Sequence, residues 1–311
     1  MIDNLTVGVT TIAFSKNLQL VDKLKNFGFK KVYTNSKGIR FNKVELISFL
    51  SKCDIAIVGL DKIDKNILIH LPKIKLISKY GVGLDNINFE DCKKYNVKVV
   101  YSQGVNKRSV SEMVLGFMLG LSRNLYLSSN LLKMGIWKKD GGMQLSNKKV
   151  GIIGVGNIGK DLIKLLKPFN CKILVNDILD QRKYYSENDL HEVSKEYIFK
   201  NADFITFHTP LDNSTKNLLN KKTFSLMKPS AFVINTARAG IINQDDLKWA
   251  LNNQLIAGAA IDVYKNEPVK DLELTSIDKL INTPHTGGNA IEAVDAMGIS
   301  SIENIINFLK N

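Results

Sequence analysis

Lys149-Val150-Gly151-Ile152-Ile153-Gly154-Val155-Gly156-Asn157-Ile158-Gly159 is the stretch on which the reading of this chain turns. Its first five residues are mostly apolar and β-branched, a run that suits a strand buried on both faces. Gly-x-Gly-x-x-Gly follows without a spacer, and Leu162, Ile163, Leu165 and Leu166 then recur at helical spacing until Pro168. In such a strand-turn-helix, Gly154 makes the tight turn, Gly156 lets backbone approach a pyrophosphate, and Gly159 lets helix pack on strand. The helix N-terminus adds unbonded amides and the positive end of a dipole. A dinucleotide is the ligand such a turn predicts.

The next strand, Lys172 to Asn176, ends at Asp177, about twenty residues beyond the glycines. A carboxylate there accepts bonds from ribose hydroxyls and repels a 2′-phosphate, so NAD is expected rather than NADP. Arg182 and Lys183, a few residues on, would weaken that preference.

Outward from this stretch the chain alternates strand-like and helix-like patterns. Before it, Leu5 to Thr11, Lys31 to Thr34, Asp54 to Leu60, Ile74 to Tyr80 and Val97 to Tyr101 read as strands with helical runs between them, a parallel βα series. Ser109-x-x-Glu112 has the form of a capping box. The helix behind it carries Met113, Val114, Phe117, Met118 and Leu121 on one stripe, with Leu115 and Leu119 on another side. So wide an apolar circumference predicts burial by a second copy or between two domains. After the glycine turn a second βα series runs to about Pro284, and Ala290 to Leu309 is helical by period with no strand after it. That closing helix is placed to return to the first series. The expected architecture is α/β in two parts: residues 1–102 with 287–311, and 103–286.

Composition narrows the partners. The chain has 311 residues and a formal charge of +13, but its lysines are spread through nearly every segment and its arginines number five, so nucleic acid is not expected. No run approaches the ~18 apolar residues of a membrane span, and the N-terminus lacks a signal pattern. A cytoplasmic protein, with no membrane partner, is expected. Cys53, Cys92 and Cys171 are odd in number and widely spaced, which suits buried thiols and predicts no metal.

Three strand ends carry groups with chemistry. Ala231 to Asn235 delivers Thr236-Ala237-Arg238, Ala257 to Tyr264 contains Asp262 with Glu267-Pro268 beyond it, and Leu280 to Pro284 ends at His285. Ligands of doubly wound sheets bind at strand C-terminal ends. Together with Tyr80-Gly81-Val82-Gly83-Leu84-Asp85-Asn86, Asn106 to Glu112, Ala202-Asp203, His208-Thr209-Pro210-Leu211 and Thr283-Pro284-His285-x-Gly287, these motifs resemble the D-isomer-specific 2-hydroxyacid dehydrogenases, in particular the short phosphoglycerate dehydrogenase type without a C-terminal regulatory domain.

The resemblance implies a Rossmann NAD-binding domain inserted into a flavodoxin-like doubly wound substrate domain, and a homodimer. It implies that Arg238 holds the substrate carboxylate through a planar two-donor fork. His285 would be the acid/base and Glu267 its buried carboxylate partner. NAD would also touch Asn157, Ile158, Thr209, Thr236, Asp262 and Gly287, while His208 is read as structural. Val82 and Gly83 amides would meet the substrate carboxylate with Asn106 close by. Lys79, where this type often has arginine, would face a substrate phosphate, and Tyr80 replaces a small residue. The partner is thus a small anionic 2-hydroxyacid or 2-keto acid. 3-Phosphoglycerate is favoured, with glyoxylate, hydroxypyruvate or lactate as alternatives. The same fold can also serve an NAD(H)-sensing interaction protein, in which the trio would persist without turnover.

Overall fold

The computed structural model describes residues 2–310, which divide into two compact units, one running to Asn106 and resuming at Asn289, the other spanning Lys107–Gly288. The seams at 106/107 and 288/289 lie slightly beyond those expected at 102/103 and 286/287.

The first unit runs β1 (Thr6–Val9), α1 (Ile12–Lys16), α2 (Leu18–Lys25), β2 (Lys31–Thr34), α3 (Lys43–Leu50), β3 (Ile55–Val58), α4 (Lys65–Leu68), β4 (Leu76–Lys79), α5 (Phe89–Lys94) and β5 (Lys98–Val100). All pairings are parallel, in the order β2-β1-β3-β4-β5. This is a doubly wound sheet whose strand order reverses at β1/β3.

The second unit runs α6 (Lys107–Ser122), α7 (Leu125–Lys133), β6 (Lys149–Ile153), α8 (Asn157–Leu166), β7 (Lys172–Asn176), α9 (Arg182–Glu187), β8 (His191–Glu192), α10 (Lys195–Asn201), β9 (Phe204–Phe207), α11 (Lys221–Phe224), β10 (Phe232–Asn235), α12 (Gln244–Asn252), β11 (Gly258–Ile261), α13 (Leu272–Thr275) and β12 (Leu280–Asn282). Its parallel sheet has the order β12-β11-β10-β9-β6-β7-β8, a Rossmann arrangement with its switch point at β6/β9.

α14 (Ile291–Lys310) belongs to the first unit, where Met297, Ile302, Ile305 and Ile306 pack with Val7, Val9, Ile57 and Leu76. The closing helix therefore returns to the first sheet, because the stripe it carries would otherwise face water.

One helix expectation is corrected. No capping box forms at Ser109: α6 begins at Lys107, so Ser109 lies inside the helix and its hydroxyl donates to the Gly287 carbonyl at 2.6 Å, while Glu112 lies 4.0 Å from Arg108. α6 is also buried within its own unit, Val114, Phe117, Met118 and Leu121 packing with Leu162, Ile163 and Leu166 of α8. Met113, Leu115 and Leu119, on the remaining apolar surface, are only half-buried. Arg108 and Ser111 of α6 reinforce the packing by donating to the buried Asp161 carboxylate of α8 at 3.0 and 2.5 Å.

Candidate active site

Steric demand at the glycine turn explains its composition. Gly154 has φ +95°, and a Cβ there would lie 2.6 Å from the His208 carbonyl oxygen; at Gly159 it would lie 2.3 Å from the Gly154 oxygen. Next to Gly156 a Cβ would meet nothing within 4 Å, so the turn opens onto free space there. α8 begins at Asn157 with no side-chain cap, leaving the amides of its first turn directed at that space. Asn157 is exposed and Ile158 half-buried.

Asp177 closes the turn from the side. Its Oδ2 accepts from the Val155 amide at 2.6 Å and its Oδ1 from Leu179 at 2.9 Å, while Gln181 donates to the Val155 carbonyl at 3.2 Å. The ribose-reading carboxylate expected from sequence is therefore also a buckle on the phosphate turn. Arg182 does not stand free to attract a 2′-phosphate. Its guanidinium is forked onto Asp180 at 2.6 to 3.2 Å, an exposed pair that holds Asp180 below the usual carboxylate range, at about 2.

Across the switch point, β9 delivers His208 and Thr209, and β10 delivers Thr236. Thr209 Oγ1 and Thr236 Oγ1 are buried with no hydrogen-bond partner. Buried hydroxyls are seldom left unpaired, so these two mark where a polar ligand completes the site. Bare helix amides, open space at Gly156 and two unpaired hydroxyls together fit a dinucleotide. His208 Nε2 bonds Thr206 Oγ1 at 3.2 Å while its Nδ1 is buried without a partner, and burial pushes its pKa down to about 3.

At the end of β10, Asn235 is 1% exposed and straps the 235–238 turn with both ends of its amide: Oδ1 accepts from Ala237 N at 3.0 Å and Nδ2 donates to the Arg238 carbonyl at 2.9 Å. That strap directs Arg238, whose Nη1 also donates to the Ala237 carbonyl at 2.8 Å. The sequence marked Asn235 only as the start of a motif with Thr236, Ala237 and Arg238, although an asparagine opening a turn was the signal for this strap.

His285 Nδ1 lies 3.0 and 2.8 Å from Glu267 Oε1 and Oε2. Glu267 Oε1 accepts in addition from the Tyr264 amide at 3.1 Å. With Nδ1 committed to the carboxylate, Nε2 is left for a substrate oxygen. The partner expected to be buried is only half-buried, at 31% exposure against 45% for the imidazole, because both follow strand ends at the rim of the sheet.

Asp262 and Gly287 are tied into the turn that carries His285. Asp262 lies just past β11 rather than within it, is 1% exposed, and accepts from Thr283 Oγ1 (2.6 Å), Thr286 N (2.8 Å) and Gly287 N (2.7 Å). Both of its oxygens are engaged on the turn holding His285, so Asp262 anchors that turn. Gly287 has both backbone groups engaged, with Asp262 and Ser109, and a Cβ there would lie 2.9 Å from Asp262 Oδ2. These bonds offset the cost of His285 at φ +55°, ~1 kcal/mol or more for a non-glycine residue.

In the first unit Lys79 is corrected as well. It is 4% exposed, and its ammonium donates to the Gly59 carbonyl and to Asn86 Oδ1, the latter at 2.8 Å. An ammonium so buried fastens neighbouring loops and does not face a ligand. Tyr80 belongs to the core, its hydroxyl donating to the Val294 carbonyl at 3.3 Å. Val82 and Gly83 follow β4 in a half-buried loop, and among the described residues their amides donate no hydrogen bond. Asn106 keeps a buried, unpartnered Oδ1.

Known proteins are similar to this chain over most of its length. The profile of the D-isomer specific 2-hydroxyacid dehydrogenase, NAD binding domain, matches residues 115–287. The chain is 32% identical to a hydroxypyruvate reductase of Thermotoga maritima over 86% of this chain and 88% of that one. It is 32% identical to a glyoxylate reductase of Thermococcus litoralis over 88% and 84%, respectively. To a D-3-phosphoglycerate dehydrogenase of Methanocaldococcus jannaschii it is 33% identical over 86% of this chain, spanning about half (52%) of that protein. A Rossmann switch point that fits NAD, with an arginine and a histidine-carboxylate pair at neighbouring strand ends, and relatives of these lengths identify the chain as a member of the NAD-dependent D-isomer-specific 2-hydroxyacid dehydrogenase family.

Proposed function

We propose that this chain interconverts a short, unphosphorylated D-2-hydroxyacid and its 2-keto acid. The observation that carries the reading is the His285–Glu267 pair with Nδ1 bound at 2.8 Å, at a strand end of the NAD-binding unit. Bound NAD supplies the hydride acceptor at C2, and its reduced form the donor. Arg238 takes the substrate carboxylate and draws density from the C2 oxygen. His285 Nε2 holds the proton: it gives it to the C2 oxygen as the keto acid is reduced and takes it from the hydroxyl in the other direction. Glu267 fixes the ring orientation and stabilises the imidazolium. Val82 and Gly83 amides present further donors to the carboxylate.

3-Phosphoglycerate is a second reading, favoured by the 33% identity to a D-3-phosphoglycerate dehydrogenase. Against it stands Lys79, whose ammonium is occupied within the fold. A second copy of the chain fits the face of α7, which buries none of its own residues and leads into exposed Met134, Ile136 and Trp137. Sedimentation at micromolar concentration gives a dimer on this reading; a monomer removes that part.

The test is NADH oxidation with a panel of 2-keto acids and NAD reduction with the matching D- and L-hydroxyacids. Turnover of short keto acids to the D-product supports the proposal. Absence of turnover with NADH bound removes the enzyme reading and leaves NAD(H) sensing.

A further inference from the structure

β11 and β12 end side by side, with Ile261 in register with Asn282, and the Thr283 amide donates to the Ile261 carbonyl at 3.1 Å as the last rung between them. Glu267 and His285 stand on the two segments that continue past this rung. Among the described residues no further backbone–backbone hydrogen bond joins those segments. The approach of Glu267 to His285 is therefore set by side chains.

Tyr264 touches both segments. Its backbone amide donates to Glu267 Oε1 at 3.1 Å, and its hydroxyl donates to the Thr283 carbonyl at 2.9 Å, the same oxygen that takes the His285 amide at 3.0 Å. The side chain is 7% exposed and belongs to the buried cluster that holds Ile261, Leu274 and Leu280, so the ring is a fixed spacer between the two segments. Burial, followed by the charge of Asp262, pushes its pKa up to about 12, and the hydroxyl stays a donor at neutral pH.

Ser109 closes the other side. From the first turn of α6 its hydroxyl donates to the Gly287 carbonyl at 2.6 Å. The two hydroxyls thus hold the carbonyls two residues before and two residues after His285, while Asp262 holds the amides of Thr286 and Gly287. A phenyl ring would fill the volume of Tyr264, and alanine would keep α6 helical. What each hydroxyl adds is a fixed end to the turn that carries the imidazole.

We infer that Tyr264 and Ser109 are positioning residues for the proton transfer: their hydroxyls hold the His285 turn from both ends and so keep the imidazole on Glu267 in a single orientation. A reacting group misplaced by about 1 Å loses up to about 10²-fold in rate, and its own placement depends on the hydrogen bonds behind it. The inference rests on the proposed assignment of His285 as the acid/base.

The test measures kcat, KM and the NADH dissociation constant with glyoxylate, hydroxypyruvate and pyruvate for the wild type, Tyr264→Phe, Ser109→Ala and Ser109→Thr, and repeats each change in a His285→Ala background. Tyr264→Phe is expected to lower kcat about 5- to 50-fold and Ser109→Ala about 3- to 10-fold. Ser109→Thr, which keeps a hydroxyl, stays within about threefold of the wild type. NADH affinity changes by less than about twofold, and Tm by less than about 4 °C, because the Thr283 carbonyl retains the His285 amide. With His285 replaced, neither change lowers the residual rate by more than about twofold, since no imidazole is left to misplace. Wild-type kcat in both Tyr264→Phe and Ser109→Ala, or losses of equal size with and without His285, overturns the positioning role and leaves the enzyme reading intact. Wild-type kcat in His285→Ala overturns it together with the assignment of His285. No wild-type turnover of any of the three acids overturns it together with the proposed activity.

Discussion

At the β6/β9 switch point the chain leaves its backbone bare: Gly156 opens onto free space, the first turn of α8 has no side-chain cap, and Thr209 and Thr236 hold unpaired hydroxyls. At β1/β3 the charged groups are engaged with their neighbours, Lys79 with Gly59 and Asn86 and Asp61 with Thr10, and Thr11 alone keeps a buried, unpaired hydroxyl there among the described residues. Two sheets of one topological class thus prepare for ligands differently. A pyrophosphate is met by helix amides, which carry no side-chain entropy to lose and tolerate only glycine at the closest approach. A small acid must be distinguished from its analogues, which requires side chains locked by their own hydrogen bonds.

The largest effect that would break this comparison falls on the chemistry of the second unit. His285→Ala is expected to lower kcat by roughly 10²- to 10⁴-fold while NADH affinity changes by less than about twofold, since in the proposed reaction the imidazole serves the proton and not the nucleotide. Stopped-flow turnover and a fluorescence titration check the two halves, and parallel loss of NADH binding would reassign His285 as structural.

Next comes the bare turn itself. Gly154→Ala puts a methyl 2.6 Å from the His208 oxygen at φ +95° and should destabilise the protein by ~1–3 kcal/mol with loss of NADH binding, read by thermal denaturation with and without NADH. Lys79→Met sharpens the contrast from the other side. It leaves the Gly59 carbonyl and Asn86 Oδ1 without their donor, so a stability loss of ~1–3 kcal/mol is expected, equal for every substrate tested. A variant of wild-type stability that loses only phosphorylated substrates would restore Lys79 as a phosphate contact.

The smallest effect is on pH dependence. Burial lowers the His208 pKa from 6.5 to about 3, so as pH falls below about 6.5 the unfolded chain takes up this proton and the folded chain does not. Folding stability attributable to His208 is therefore present above that pH and declines by at most about 1.4 kcal/mol per pH unit on acidification toward pH 3. His208→Gln should flatten denaturant midpoints between pH 6.5 and 5, and an unchanged slope would mean that another group controls it.

Much of this was legible along the chain. The Gly154–Gly159 turn, the strand ending at Asp177 and the return of the closing helix follow from local patterns, because glycine positions and apolar periods are set by near-neighbour sterics. Asp262 shows where such reading stops. The family resemblance implied a cofactor contact; that it anchors the His285 turn depends on Thr283, Thr286 and Gly287, which lie more than twenty residues away and converge on it only in the fold. Lys79 fails for the same reason, since Gly59 and Asn86 reach it from separate loops.

What the sequence by itself determined, then, is the identity of the parts: two parallel α/β units, a dinucleotide turn, and the Arg238, Glu267 and His285 trio. Only the tertiary structure decided which charges are spent and which are left to act. A carboxylate or an ammonium has the same chemistry wherever it is written, and its function depends on whether long-range partners have already satisfied it.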